Sequence, residues 1–249
     1  MLIGGRQNID KKHSSGGGSV ADYVQDSALL FFDGIENVDV GTHSSTATAW
    51  KNFGTWGGSA TATSDIKGFW TPDSYSFNEA GGFVFGLSNV PWTRGTITIE
   101  IVYRMSQFGK WAGRVFGIIS GSDKSSRLAA QTNIPASGIS QAISIIWGWD
   151  WAFNVPLEGT NHFPKKYTLA FGGSTSSRGG FFRWGGTTTE VNTQYYPYTK
   201  GTQFVIGNEG NMSRPFLGDV CAIRLHSRRL TDAEIDYNAE LDRARFDVQ

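Results

Sequence analysis

The sequence predicts an all-β protein, a sandwich of two antiparallel sheets with one short C-terminal helix. Short apolar or alternating runs recur about every 8 to 15 residues from Ala28 onward, the spacing typical of sandwiches and barrels. The 249 residues include 32 glycines, and 14% are aromatic, which suits strands that are joined by tight turns and packed through rings. Only the C-terminal segment carries clear helix signals.

The domain organisation follows from one linker. HSSGGGS, residues 13–19, is preceded by too few residues to form a domain. We therefore predict an N-terminal arm with a Gly/Ser-rich linker over residues 1–27 and one globular domain over residues 28–249. The first residues contain no apolar stretch of the length that a secretory signal needs, so no signal peptide is predicted.

The predicted strands follow in chain order. They are ALLFF (28–32), YSFN (75–78), GFVFGL (82–87), TITIEIVYRM (96–105), RVFGIIS (114–120), YTLAFG (167–172), GFFRW (180–184) and TQFVIG (202–207). In the strand at 96–105 apolar and polar residues alternate, so one face belongs to the core and the other is half-wet. Glu100 lies on the wetter face, where we expect a cross-strand partner such as an arginine.

The predicted helix lies in LTDAEIDYNAELDRARF near the C-terminus. Thr231 can cap its first turn, and Glu234 stands at the position that completes a capping box. Leu230 can pack on Ile235 as a hydrophobic staple. The segment is predicted to lock the fold and to take no part in chemistry.

The charge balance excludes several partners. Lys plus Arg and Asp plus Glu both number 22, and no basic run exceeds a dipeptide, so a nucleic-acid partner is not expected. No apolar stretch is long enough to span a bilayer, and no membrane partner is predicted. The lone Cys221 lies in an apolar pattern and is predicted to be a buried thiol.

Catalytic signals are missing from the sequence. The four histidines stand far apart, without metal-ligand spacing, and nucleophile and nucleotide motifs are absent. The acidic residues of EIDYNAE (234–240) lie in the predicted helix, where they would point around a cylinder and not into a cleft. We therefore predict that the protein is not an enzyme.

Two loops offer oxygen ligands for a Ca²⁺ ion. Asn208, Glu209 and Asn211 in GNEGN, together with Asp219, could supply carboxylates and amide oxygens, as could DGIENVD (33–39). The alternative is a polar turn whose side chains bond to their own backbone. Calcium is therefore a possible cofactor, and no other cofactor is indicated.

The stretch IIWGWDWAF, residues 145–153, sets Trp147, Trp149 and Trp151 at alternate positions. On one regular strand their side chains would share a face and form part of an aromatic core. A bend at Gly148 would instead leave Trp149 or Trp151 at a rim, where an indole stacks on a sugar while Asp150 and Asn154 bond to its hydroxyls. These four residues are the candidate ligand contacts. Trp92, Trp111 and Trp184 are second-rank candidates for exposed binding aromatics.

Two long segments carry a family resemblance. LLFFDGIENVDVGTHSSTATAWKNF and FVIGNEGNMSRPFLGDVCAIRLHSRRLTDAEIDYNAELDRARF resemble the opening and closing segments of laminin-G-like, concanavalin A-like jelly-roll domains. The resemblance covers about residues 28–246 and departs at 51–53, where the family more often has an aspartate. It implies a jelly-roll sandwich, with Trp50, Ile223, Leu225 and Ile235 as packing positions. Members bind glycans or proteins, often with Ca²⁺.

The lead-in VADYVQDS further resembles domains encoded among virion genes of phages and prophages of gut Firmicutes. This implies a fibre or capsid decoration protein that adheres to bacterial-surface or mucosal glycans and attaches to virion proteins through residues 1–27. It would be assembled in the host cytoplasm, displayed on the virion surface and could form a homotrimer. The alternatives are a structural virion clamp without glycan binding and, less favoured, a glycoside hydrolase.

Overall fold

The structure is a computed structural model that describes residues 18–87, 97–106, 113–119, 126–132, 142–147, 150–156, 165–173, 179–192 and 201–248. The strands and the helix in these residues are β1 (Ala28–Asp33), β2 (Ala49–Lys51), β3 (Ser59–Ala62), β4 (Gly68–Thr71), β5 (Ser74–Phe77), β6 (Phe83–Gly86), β7 (Thr98–Met105), β8 (Arg114–Ile119), β9 (Ser126–Thr132), β10 (Ala142–Trp147), β11 (Asp150–Pro156), β12 (Tyr167–Gly173), β13 (Gly179–Trp184), β14 (Thr187–Asn192), β15 (Gln203–Ile206), β16 (Gly218–His226) and α1 (Asp232–Phe246).

The strands form two antiparallel sheets. The first sheet has the order β14-β13-β12-β7-β16-β5-β4, and β1 pairs with β16 beyond the end of β5. The second sheet has the order β11-β10-β9-β8-β15-β6-β3-β2. The predicted fold class, a two-sheet antiparallel sandwich with a short C-terminal helix, is confirmed.

The core lies between the inner faces of the two sheets and is rich in rings. Phe204 stacks on Phe32 and on Phe116, with ring centroids 6.1 Å and 5.1 Å apart. Trp50 is fully buried, and its indole N–H donates to the carbonyl of Asp33 at 2.9 Å. The four packing positions implied by the resemblance are all buried. The aromatic content of the sequence therefore serves mainly to fill this interior.

The helix covers the outer face of the first sheet. Ile235 of α1 packs with Ala170 and Phe181 of the sheet and with Leu230, the predicted staple residue. Thr231 caps the helix, and Glu234 completes the capping box. The predicted local structure of this segment is confirmed. Within the described residues, no helix is long and apolar enough to cross a membrane.

The prediction that Glu100 lies on a half-wet face is wrong, whereas its cross-strand pairing with an arginine is confirmed. Glu100 is fully buried and accepts a hydrogen bond from Arg224 Nε at 3.0 Å, in direct register with that residue on β16. Arg224 in turn donates twice to Asp242 of α1, at 2.8 Å and 2.6 Å. The error arises because α1 covers this face. The helix lies about 130 residues further along the chain, so the alternation of apolar and polar residues in β7 cannot predict that it packs there.

The chain before β1 packs on the domain as well. Ser19 caps a 3₁₀ turn at Val20–Asp22, and both Val20 and Tyr23 are buried. The Tyr23 hydroxyl donates to Asp242 at 2.8 Å. Packed structure therefore begins before residue 28, while residues 1–17 of the predicted arm lie outside the described residues. Cys221 is buried, as predicted, and burial raises the pKa of its thiol.

Candidate functional site

A cleft opens between α1 and the ends of β12 and β13. Its volume is about 310 Å³, at the small end of the range for ligand pockets. We name it the α1 cleft. The residues that line it are Lys165, Tyr167, Thr168, Ala170, Arg183, Trp184, Gly185, Gly186, Ile235, Asp236, Ala239, Arg243 and Val248.

Two half-buried aromatic residues border the strand end of the α1 cleft, and their rings pack against the core between the sheets. Trp184 and Tyr167 lie with their centroids 5.2 Å apart. Trp184 pairs with Thr187 across a two-residue turn, in which Gly185 and Gly186 have φ of 56° and 79°. Glycine adopts such values without strain, which favours this residue type at both positions. A Cβ on either glycine would meet no atom within 4 Å, so the turn leaves this end of the cleft open.

The helix wall of the cleft holds an ion cluster. Arg183 donates to both carboxylate oxygens of Asp236, at 2.8 Å and 2.7 Å, and to Asp232 at 3.1 Å. The hydrogen bond to Asp236 raises the pKa of Arg183 above its ordinary value. Both carboxylates thus bind one guanidinium, and Asp232 also accepts from Thr188 at 3.0 Å, so the first two turns of α1 are joined to β13 and β14.

Two exposed cations flank the cleft. Lys165 lies on the strand side and forms no ion pair with any described residue. Arg243 lies on the helix side and pairs with Glu240 on the surface, where such pairs contribute little. The cleft therefore combines apolar and charged side chains, and two aromatic residues border its strand end.

The predicted tryptophan site is divided between two strands. Trp147 ends β10 and is in register with Asp150, the first residue of the antiparallel β11, so the interpretation of one regular strand through all three tryptophans is wrong. Trp149 lies outside the described residues. Trp151 and Asn154 lie on β11, the edge strand of the second sheet, where the register places Asn154 opposite Ser144. Their role as ligand contacts stays a prediction.

The predicted calcium residues are engaged with protein donors. Asp219 forms an ion pair with Arg104. The side-chain oxygens of Asn208 and Asn211 accept backbone N–H groups of their own loop, as in the polar-turn alternative. No group of three His, Cys, Asp or Glu residues in the described part of the chain is placed to hold a metal ion. These contacts lend the calcium hypothesis no support.

The remaining predicted calcium ligand, Glu209, lies between two arginines. The Nε atoms of Arg114 and Arg214 approach its carboxylate oxygens at 3.6 Å and 3.5 Å, and Ser213 donates to it at 2.8 Å. Arg114 is directly opposite Gln131 on β9. We name Arg114, Arg214, Gln131 and Glu209 the arginine cluster.

Comparison with solved structures supports the architecture. Trypanosoma rangeli sialidase in complex with sialic acid is similar, with a TM-score of 0.59 and 17% identity over 86% of this chain and 33% of the sialidase. Domain 4 of AbnA, a GH43 extracellular arabinanase from Geobacillus stearothermophilus in complex with arabinotriose, has a TM-score of 0.52 and 12% identity over 85% of this chain and 98% of that domain. This chain thus spans about a third of the sialidase it matches.

No protein-family model matches this chain, and no curated protein matches it. At such low identities the structural likeness shows the fold, a two-sheet β-sandwich. The site has to be argued from this chain's own residues.

On the sequence alone, Trp184 ranked second and the rest of the α1 cleft was missed. The prediction that the acids of EIDYNAE do not face a cleft is wrong for Asp236, which lines this one because α1 packs on β13. Arg183 and Asp236 are 53 residues apart and meet only because α1 returns to β13. The one local signal was GFFRWGG, where an aromatic residue and an arginine directly precede a two-glycine turn.

Proposed function

We propose that this chain is a non-catalytic glycan-recognition module that binds sugar in the α1 cleft. The observation that carries the proposal is a cleft lined by both apolar and charged side chains, which Trp184 and Tyr167 border at its strand end. Aromatic rings pack on the apolar faces of sugar rings, and a few placed polar groups select among hydroxyls.

The structural neighbours are in keeping with this proposal. The arabinanase domain, which is similar over 98% of its length, was solved in complex with arabinotriose. That ligand belongs to the neighbour, and the site proposed for this chain rests on its own residues. Bacterial-surface or mucosal glycans are the ligands we propose.

The non-catalytic part of the proposal rests on the state of the acids in the cleft. A glycoside hydrolase commonly needs two carboxyl groups flanking the scissile bond, one of them free to donate a proton. Asp236 is instead held by both of its oxygens to Arg183, and Asp232 is bound to the same side chain. Carboxylates clamped in this way favour a structural role.

A glycan array tests the proposal. We expect the wild-type protein to bind at least one glycan, and Trp184→Ala to lose about tenfold or more in affinity, since stacking contacts dominate small polar sites. Tyr237→Ala is the matched control, because Tyr237 is an exposed aromatic of α1 outside the cleft lining. Equal loss in both variants would contradict the assignment of the cleft.

A second variant guards against misfolding of Trp184→Ala. Ala239 lines the cleft from the helix, so Ala239→Gln fills the space while keeping a good helix former. We expect this variant to unfold at the wild-type temperature and to lose binding. Retained binding would place the ligand elsewhere, with β11 the first alternative.

We also propose the setting that the sequence resemblance implies, a phage particle whose surface carries this module through residues 1–27. The support is the similarity of VADYVQDS to the lead-in of virion-encoded domains. Immunogold labelling of purified particles from an induced host tests it, and particles without the protein would contradict it.

A further inference from the structure

The arginine cluster has an excess of positive charge. Arg114 is 9% exposed in its side chain, and its one carboxylate partner among the described residues, Glu209, is shared with Arg214. The 3.6 Å separation of Arg114 from Glu209 exceeds hydrogen-bond length. Burial lowers the pKa of Arg114 to about 10, as expected for a cation with too little compensating charge.

The same cluster holds buried donors without acceptors. Nε and Nη1 of Arg114 and Nε2 of Gln131 are buried and have no hydrogen-bond partner among the described residues. A buried donor without a partner costs about 1–3 kcal/mol. Because Arg114 and Gln131 are directly opposite on β8 and β9, their free donors belong to one small region of the second sheet.

The polar row continues toward the edge of the sheet. Gln131 is in register with Ser144 on β10, and Ser144 is in register with Asn154 on β11. Arg214 is 37% exposed in its side chain and so connects the cluster with solvent. Arg214 is therefore the member of the cluster at which a ligand from solvent would first make contact.

We propose that the arginine cluster binds the carboxylate of an acidic sugar. The two carboxylate oxygens would accept from Nη1 of Arg114 and Nε2 of Gln131, which now lack partners, and the charge would balance the second arginine. The donors and the net positive charge select an anion, which reverses the sign of the calcium ion predicted from the same loop. The inference rests on the proposed glycan binding, to which it adds a ligand class and a second contact region.

The test uses glycans printed in pairs, each uronic or sialic acid glycan beside its methyl ester, which removes the charge and keeps the sugar. We expect binding of the acid to exceed that of the ester by about tenfold or more. Arg214→Gln should abolish the difference, and because the Arg214 side chain is 37% exposed the change removes no residue of the buried core. Arg229→Gln is the matched control, since it removes one cation from a surface pair with Glu190.

A second measurement separates the source of the anion. Sodium glucuronate, glucose and inorganic phosphate are titrated while the unfolding temperature is followed, because a ligand that binds only the folded state raises it. We expect glucuronate to raise it in the wild type and not in Arg214→Gln. Equal shifts with phosphate would overturn the assignment to a sugar carboxylate.

The two proposals fail in different ways. Binding of neutral glycans with equal affinity for acid and ester would overturn the acidic-sugar inference and leave the α1 cleft standing. Absence of any glycan binding would overturn both. Loss of acid binding in Arg229→Gln to the same extent would reduce the effect to general surface charge.

Discussion

Two buried arginines of this sandwich, Arg224 and Arg114, differ in how many carboxylates neutralise their charge. Arg224 is fully buried and donates to Asp242 through two nitrogens and to Glu100 through a third. Arg114 is nearly as buried and has no hydrogen-bonded acceptor for Nε or Nη1 among the described residues. Burial works against both charges, yet the carboxylates around Arg224 raise its pKa well above the ordinary value, while the pKa of Arg114 falls to about 10.

The difference teaches that the two charges have different roles. Arg224 stabilises the fold, whereas Arg114 is the residue that we propose binds an external anion. Arg224 joins β16 to α1 and thereby holds the helix over the first sheet. Its second acceptor stays ionised: burial alone would raise the pKa of Glu100, but Arg224 and His226 outweigh it and lower that pKa. Arg114 has no such complement, and its free donors suit an external anion.

The largest expected loss of stability is at Arg224, the arginine whose donors are all paired with carboxylates. Arg224→Gln leaves Asp242 and Glu100 buried without their cation, and breaking a buried pair costs about 3–5 kcal/mol in unfolding free energy. Urea denaturation of wild type and variant measures it, with Asp242→Asn as the milder companion if Arg224→Gln does not fold. A loss below about 1 kcal/mol would show that the ion network does not hold α1.

The second largest expected effect is a pH dependence of stability caused by Asp33, a buried carboxyl that is less fully paired than those around Arg224. Burial, which outweighs the nearby Arg245 and two backbone hydrogen bonds, raises the pKa of Asp33 to about 6 from 3.8. A carboxyl group whose pKa is higher in the folded than in the unfolded protein stabilises the fold at low pH. This contribution is complete below the pKa of the unfolded state and is lost as the pH rises through the pKa of the folded state. The expected size is on the order of 2–3 kcal/mol.

Urea titrations from pH 4 to pH 7 check this in wild type and Asp33→Asn. The wild-type free energy of unfolding relative to the variant should fall as the pH rises through about 6. A difference that does not change with pH would mean that Asp33 is ionised throughout, as fully paired as the carboxylates around Arg224.

The smallest expected loss of stability is at Arg114, the arginine whose donors lack partners. Arg114→Gln removes a buried charge that the chain compensates poorly, so its unfolding free energy should change by less than about 1 kcal/mol or increase. Parallel urea curves with Arg224→Gln make the comparison direct. A loss comparable to that of Arg224→Gln would contradict the view that Arg114 is free for a ligand.

The sequence predicted what depends on neighbours along the chain. The capping box at Thr231, the staple of Leu230 on Ile235 and the eight strands predicted from local spacing are all present, but these are only half of the sixteen described strands. The interpretation of one strand through Trp147 and Trp151 was wrong because periodicity does not reveal where a strand reverses.

What could not be predicted depends on contacts between distant segments. Glu100 and Arg224 are 124 residues apart, and the helix that seals them lies further on. The α1 cleft and the arginine cluster likewise arise where loops and strands from distant parts of the chain converge. Residue type identified Glu100 as a partner for an arginine, but burial decided whether that pair faces water or the interior.

Amide NMR spectra recorded during titration with the strongest glycan from the array test the central claim most directly. The account predicts that the largest shifts occur at Trp184, Gly185 and Gly186 in the α1 cleft, with a second group at Arg114 and Gln131 when the glycan carries a carboxylate. Shifts confined to Asp150–Pro156 would place the site on β11 as the tryptophan pattern first suggested. Saturated binding with no shift in the α1 cleft would contradict the account.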